Sequence, residues 1–146
     1  MSDIFFKLVN PVVKALLQSP LHGLMSHNTV LLKFRGRKSG RDLSTPVSYR
    51  LSGDELQCFT SYPWVKNLAN GEVITLVLKG KPRRGIPILT VDDPGHTATV
   101  LVQFLRAVPR DAPHAGVALD ANGEPDQGDI ATAASKLTLI TIRLID

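Results

Sequence analysis

"LKFRGRKSGRDLSTPVSY", residues 32–49, decides how this chain is read. It opens as an apolar strand, sets Lys33, Arg35, Arg37, Lys38 and Arg41 within nine positions around Gly36 and Gly40, and returns to a strand-like pattern. Two β-capable runs on either side of a glycine-flanked polar turn predict a hairpin. Such a turn exposes backbone N–H groups, and Arg37, Lys38 and Arg41 add charge, so the tip is a cradle for phosphate or carboxylate. From charge alone a solvated basic tip is an equal reading, because charge does not specify chemistry.

Working outward, residues 29–36 and 43–51 are the two strands of that hairpin. "ELQCFT" (55–60) follows "SGD", whose glycine suits a tight turn, and "PWVKNLANG" (63–71) predicts a short helical segment stopped by Asn70 and Gly71. "VITLVLK" (73–79) and "RRGIPILTV" (83–91) flank the turn "GKP" as a further hairpin. Asp93 and Pro94 predict a helix cap and first position, with Val100, Leu101, Phe104, Leu105 and Val108 as the apolar face of a helix over 94–107. A polar stretch (119–129) precedes a short Ala-rich helix near 129–135, and "LTLITIRLI" closes the chain as a buried strand. Six strands with short hairpins and few helices predict a small, mainly β, barrel-like α+β domain.

With 146 residues, 43% of them apolar, the chain is expected to form a single domain, residues 28–146 as the barrel and 1–27 as an N-terminal helical segment. Within that segment residues 3–18 space Lys7, Asn10, Lys14 and Gln18 three or four apart among apolar residues, which predicts an amphipathic helix. It packs on the domain or lies on a membrane surface with Lys7 and Lys14 toward headgroups. Asp3 and Lys7 break the apolar run that a signal segment needs, and no run is long enough to span a bilayer. Five of the 17 basic residues lie in the stretch quoted first, so the net charge of +4 is a local feature. A lone cysteine, Cys58, excludes an internal disulfide. A cytoplasmic protein is expected, membrane contact at the inner face being left to residues 3–18.

Several chemistries are argued against by spacing. "GRKSG" has three residues between its glycines, one short of the phosphate loop, and no GxGxxG occurs. Aromatics make up 5% of the chain, too few to interleave with a nucleic-acid groove, so no nucleic-acid partner is expected. In "DANGEPDQGD" (120–129) Pro125 stands where a calcium loop needs glycine, and Ala131 where it needs a bidentate glutamate. His22, His27, His96 and His114 are scattered, and no metal site is expected. His114 lies in "PRDAPHAG", a loop that borders a pocket or is plain surface. Trp64 reads as a core residue or as a ligand-stacking wall; the two readings are compatible.

The combination of "GRKSGRDLSTPVSY", a strand ending in "FTS" and "PWVKNL" resembles the deazaflavin-dependent nitroreductase or quinone reductase family, within the flavin/deazaflavin split-barrel superfamily. The match covers residues 20–91 most clearly. The resemblance implies a six-stranded split β-barrel of the FMN-binding type, with an N-terminal helix and peripheral helices. It implies binding of coenzyme F-420, an 8-hydroxy-5-deazaflavin with a phosphate and a glutamate tail, and hydride transfer to a quinone, activated alkene or nitro compound. On that pattern Gly36, Arg37, Lys38, Ser39, Gly40 and Arg41 hold the anionic tail. Thr45, Pro46 and Val47 run along the ring with main-chain donors, and Trp64, Lys66 and Asn67 close over the cofactor. Ser61 matches a position beside the substrate. FMN is the alternative cofactor, a noncatalytic carrier of deazaflavin or anionic lipid the alternative role, and a homodimer is compatible with the pattern. This chain departs from it in two places. Only "YP" separates Ser61 from Trp64 where family members have a longer insert. The tyrosines those members place over the substrate are missing, which leaves His114 as the ring donor of that region.

Overall fold

The computed structural model describes residues 28–145; the expected helix over 3–18, and the segment 1–27 as a whole, lie outside them. Among the described residues seven antiparallel strands form one sheet: β1 (Thr29–Arg35), β2 (Asp42–Ser48), β3 (Arg50–Ser52), β4 (Glu55–Thr60), β5 (Ile74–Leu78), β6 (Lys81–Thr90) and β7 (Thr138–Leu144). Their order across the sheet is β2-β1-β5-β6-β7-β4-β3.

The expectation of six strands is corrected to seven, and the reason is one residue. The run over 43–51 does not stay straight: β2 pairs with β1, β3 pairs with β4, and Tyr49 alone separates them. β2 and β3 are the two edges of the sheet, so the single residue between them draws those edges together and the sheet must curl. A second corner lies within β6, whose residues 81–85 pair with β5 and 85–90 with β7. Gly85 is the pivot. A Cβ there would stand 2.4 Å from Ile142 Cγ2 and 3.1 Å from the Arg143 carbonyl oxygen, so the strands approach more closely than a side chain allows.

Alternation fills the inside of the curl. Val30, Leu32 and Phe34 of β1, Leu56 and Cys58 of β4, Ile74, Leu76 and Leu78 of β5, and Ile140 and Ile142 of β7 pack with Tyr49, Trp64, Val65 and Leu68 as one core. A second core lies under the helices α1 (Pro94–Ala107), α2 (Ala112–Ala115) and α3 (Gln127–Ala134). Leu101, Phe104 and Leu105 of α1 meet Ile130 and Ala133 of α3, and Phe59 of β4 meets Phe104 edge-on at 5.2 Å.

The helix over 94–107 stands where the sequence places it, because the Asp93 side chain accepts from the His96 N–H at 3.1 Å and Pro94 fixes the first turn. The Ala-rich helix begins at Gln127, two residues earlier than expected, since Asp126 caps it by accepting from the Asp129 N–H. The expected short helical segment after Pro63 is a 3-10 helix, Pro63–Leu68. The expected turn at "GKP" is shifted: Lys79 and Gly80, at φ 52 and 79, form it, and β6 begins at Lys81. The "PRDAPHAG" stretch is not an open loop but a 3-10 turn, Pro109–Asp111, running into α2.

Candidate functional site

The β1–β2 tip is a tight loop that satisfies half of its own N–H groups. Gly36 donates its N–H to the Arg41 carbonyl at 2.9 Å, Gly40 donates to the Gly36 carbonyl at 2.8 Å, and Arg41 donates to Ser39 Oγ at 3.2 Å. Gly40 takes the left-handed conformation the turn requires, at φ +67. The Arg37 N–H donates to Asn67 Oδ1 at 2.9 Å. The N–H groups of Gly36, Arg37 and Gly40 are therefore already engaged inside the protein. What the tip offers an anion is the side-chain charge of Arg37, Lys38 and Arg41, all three exposed. At its base Arg35 meets Asp42 at 3.5 Å, an exposed pair that contributes little.

Two motifs that are 30 residues apart in sequence become one unit here. Trp64 is 8% exposed and stacks on Phe34, ring centroids 5.6 Å apart and planes at 23°. Asn67 Nδ2 donates to the Trp64 carbonyl at 2.9 Å while Oδ1 accepts from Arg37. Trp64 thus belongs to the core beneath the loop, and Lys66 on the same 3-10 segment is exposed.

Along β2 the Gly36–Arg41 bond sets the pairing parity, which the Tyr49 N–H to Asn28 carbonyl bond repeats at the other end. With the register Leu32↔Thr45 and Leu31↔Pro46, Thr45 and Val47 direct their N–H groups to β1. Ser44 directs its N–H to the free edge, and Pro46 occupies an edge position where no donor is needed. The buried Thr45 side chain and Val47 point into the curl. A ligand lying along this edge meets Ser44 N–H, the carbonyls of Ser44 and Pro46, and the Pro46 ring; Ser44 was missed in the sequence because the parity shows only once the loop is closed.

Beside the tip a cleft of about 510 Å³ is lined by Lys33, Arg35, Ser44, Asn67, Glu72 and Thr75 among others. Lys33 pairs with Ser44 on one side and Thr75 on the other, so these three polar side chains form a row across three strands. No local pattern announces that row, because β5 joins β1 only through a long-range pairing. The volume lies within the range that holds a drug-sized ligand.

The two residues expected near the reacting centre are placed at different ends. Ser61 is exposed just beyond β4, three residues before Trp64 and so at the tip end. His114 is exposed on α2, whose preceding turn is tied to the other end of the hairpin: Ser48 Oγ donates to Asp111 Oδ1 at 3.1 Å and Arg110 to Thr29 Oγ1 at 3.2 Å. Cys58 is fully buried, and burial pushes its thiol up to about 12, so it is no nucleophile. In the acidic turn Asp120 accepts from the N–H groups of Asn122 and Glu124, and Glu124 is paired with Arg106 at 2.7 Å. Among the described residues no group of three His, Cys, Asp or Glu is placed to hold a metal, and no helix is long and apolar enough to cross a membrane.

No protein-family model and no curated protein matches the sequence. Solved structures do. A protein of unknown function from Agrobacterium tumefaciens superposes with a TM-score of 0.58 at 13% identity over 92% of this chain, which spans 54% of that protein. A candidate 5-nitroimidazole antibiotic resistance protein from Bacteroides thetaiotaomicron gives 0.57 at 9% identity, over 86% of this chain and 78% of that one. A pyridoxamine 5'-phosphate oxidase-related, FMN binding protein from Nostoc punctiforme gives 0.54 at 12%, over 93% and 80%. What they share with this chain is a mainly β, α+β fold whose curled antiparallel sheet is consistent with a split barrel. At these identities the likeness is one of fold, and the two corners at Tyr49 and Gly85 are how this chain builds it.

Proposed function

We propose that this protein is an oxidoreductase that binds a flavin-type cofactor carrying an anionic group, coenzyme F-420 being the form the tip suits best. The observation that carries this reading is a preformed loop bearing Arg37, Lys38 and Arg41, fastened beside a cleft of about 510 Å³ at one end of the split barrel. Charge-assisted contacts fix a phosphate or carboxylate in position as well as adding affinity. When bound, the cofactor supplies the hydride for an electron-poor acceptor such as a quinone, an activated alkene or a nitro compound.

The chain's own residues bind and orient. Arg37, Lys38 and Arg41 hold the anionic end, and the main chain at Ser44 offers one donor and its carbonyl to the ring edge. To Ser61, exposed at the same end, the proposal assigns a hydrogen bond to the acceptor or the cofactor. His114, at the other end of the hairpin, has no part in that site within one chain.

FMN is a second reading, favoured by the FMN binding protein from Nostoc punctiforme among the structures that share the fold. The shorter anion of FMN engages fewer of the tip cations, so the two cofactors are separable by affinity. The experiment is a fluorescence titration with F-420 and with FMN under identical conditions, followed by turnover of the reduced cofactor with quinone, enone and nitro acceptors. Saturable micromolar F-420 binding with turnover supports the reading. Binding of FMN alone moves the protein to ordinary flavin chemistry, and F-420 binding without turnover makes it a carrier. Binding of neither overturns the proposal.

A further inference from the structure

We infer that Asn67 is a positioning residue, a latch that fastens the Gly36–Arg41 loop to the Trp64 segment and so holds three cations in one arrangement before any ligand arrives. The hydrogen bonds within the loop, from Gly36 to Arg41, Gly40 to Gly36 and Arg41 to Ser39, tie it only to itself. The bond from the Arg37 N–H to Asn67 Oδ1 ties it to the body of the protein. Two glycines in a six-residue loop leave the backbone many alternatives, so a restraint from outside the hairpin has much to remove.

Asn67 is suited to the task because its two partners are of opposite kinds. One is an N–H, the other the Trp64 carbonyl, so the carboxamide has a single orientation that satisfies both. The residue is itself anchored: Trp64, Val65 and Leu68 around it are buried, and Trp64 stacks on Phe34, which is two residues from the start of the loop. The chain of contact therefore runs from loop amide to carboxamide, to tryptophan backbone, to the aromatic stack, and back into β1. The inference rests on the tip being an anion site; what it adds is that Asn67, which also lines the cleft, acts on the three cations through the loop. Preorganisation of this kind lowers the ordering cost of binding and leaves the charge unchanged.

That distinction sets the test. In the unaltered protein, hydrogen exchange should show the Arg37 amide protected; exchange at the rate of an open amide overturns the latch without any variant. Asn67→Ala should release protection across residues 37–41 and weaken F-420 or FMN binding about ten-fold, the size of one or two lost hydrogen bonds. The dependence of affinity on salt should keep its slope, since Arg37, Lys38 and Arg41 all remain. A fall in slope matching that of Arg37→Ala overturns the positioning role, as does unchanged affinity in a protein whose wild type binds. If the wild type binds neither probe, the anion-site reading fails and the positioning role falls with it. Wild-type binding with an indifferent Asn67→Ala variant sinks the latch alone.

Discussion

At the tip end of β1 the contacts gather around one tryptophan: Phe34 stacks on Trp64, and Asn67 joins the Trp64 carbonyl to Arg37. At the Thr29 end the hairpin is held instead by Asp111 on Ser48 and by Arg110 on Thr29, across 63 and 81 residues of sequence. The first end places charge over an aromatic base and beside a cleft. The second joins the two cores of the protein, because the turn that carries Arg110 and Asp111 is the continuation of α1. On the proposed reading the first end receives the ligand, while the second ties the helices to the sheet.

Truncating an aromatic at each core is the most disruptive way to test that contrast. Trp64→Ala and Phe104→Ala should each cost about 3–5 kcal/mol in denaturant unfolding, as large aromatics removed from a core do. Only Trp64→Ala should also weaken anion binding at the tip, measured on whatever folded protein remains at low denaturant. Equal losses of affinity in both variants would erase the distinction between the ends. A smaller effect belongs to Ser48→Ala, which removes the hydrogen bond to Asp111. About 1 kcal/mol of stability should be lost, with tip affinity unchanged in the same titration. A change in affinity there would show that the far end also shapes the tip.

An effect confined to high pH, and absent near neutrality, concerns Cys58, which packs in the first core. Its thiol rises from 9.0 to about 12 because burial penalises the thiolate. A group raised on folding leaves stability unaffected below its unfolded value, and stability falls as pH climbs from about 9 toward 12 because the unfolded chain ionises first. Alkylation below pH 9 should accordingly follow the unfolding rate. Rapid labelling of the native protein would contradict the packing assigned to that core.

Much of the barrel was legible because apolar, β-capable runs bounded by turn residues mark β1, β4, β5 and β7, and because Asp93 and Pro94 mark a helix start by local chemistry alone. The strand count failed at Tyr49, where a strand that reads as continuous changes partners. Only the curvature of the whole sheet imposes that change. The basic tip and the tryptophan segment were both visible as motifs. Their junction through Asn67 was not, since a carboxamide reaching across 30 residues leaves no periodic trace. The cleft row of Ser44, Lys33 and Thr75 was hidden for a related reason, needing the β1–β5 register to bring Thr75 beside Lys33. Ser61 was named from a motif position and His114 as the ring left where the family's tyrosines are missing, and the topology assigns them to opposite ends of the hairpin.

If, as proposed, the tip cations hold the anionic end of a flavin-type cofactor, removing two of them must weaken its binding. The most direct measurement is calorimetry of F-420 and FMN binding to the wild type and to the Arg37→Ala/Lys38→Ala double variant, at two salt concentrations. Each charge-assisted contact contributes on the order of 1.5–3 kcal/mol, so the double variant should bind at least about 2 kcal/mol more weakly, with a shallower salt dependence. Affinity and salt dependence equal to those of the wild type would contradict the claim and leave the tip a solvated turn.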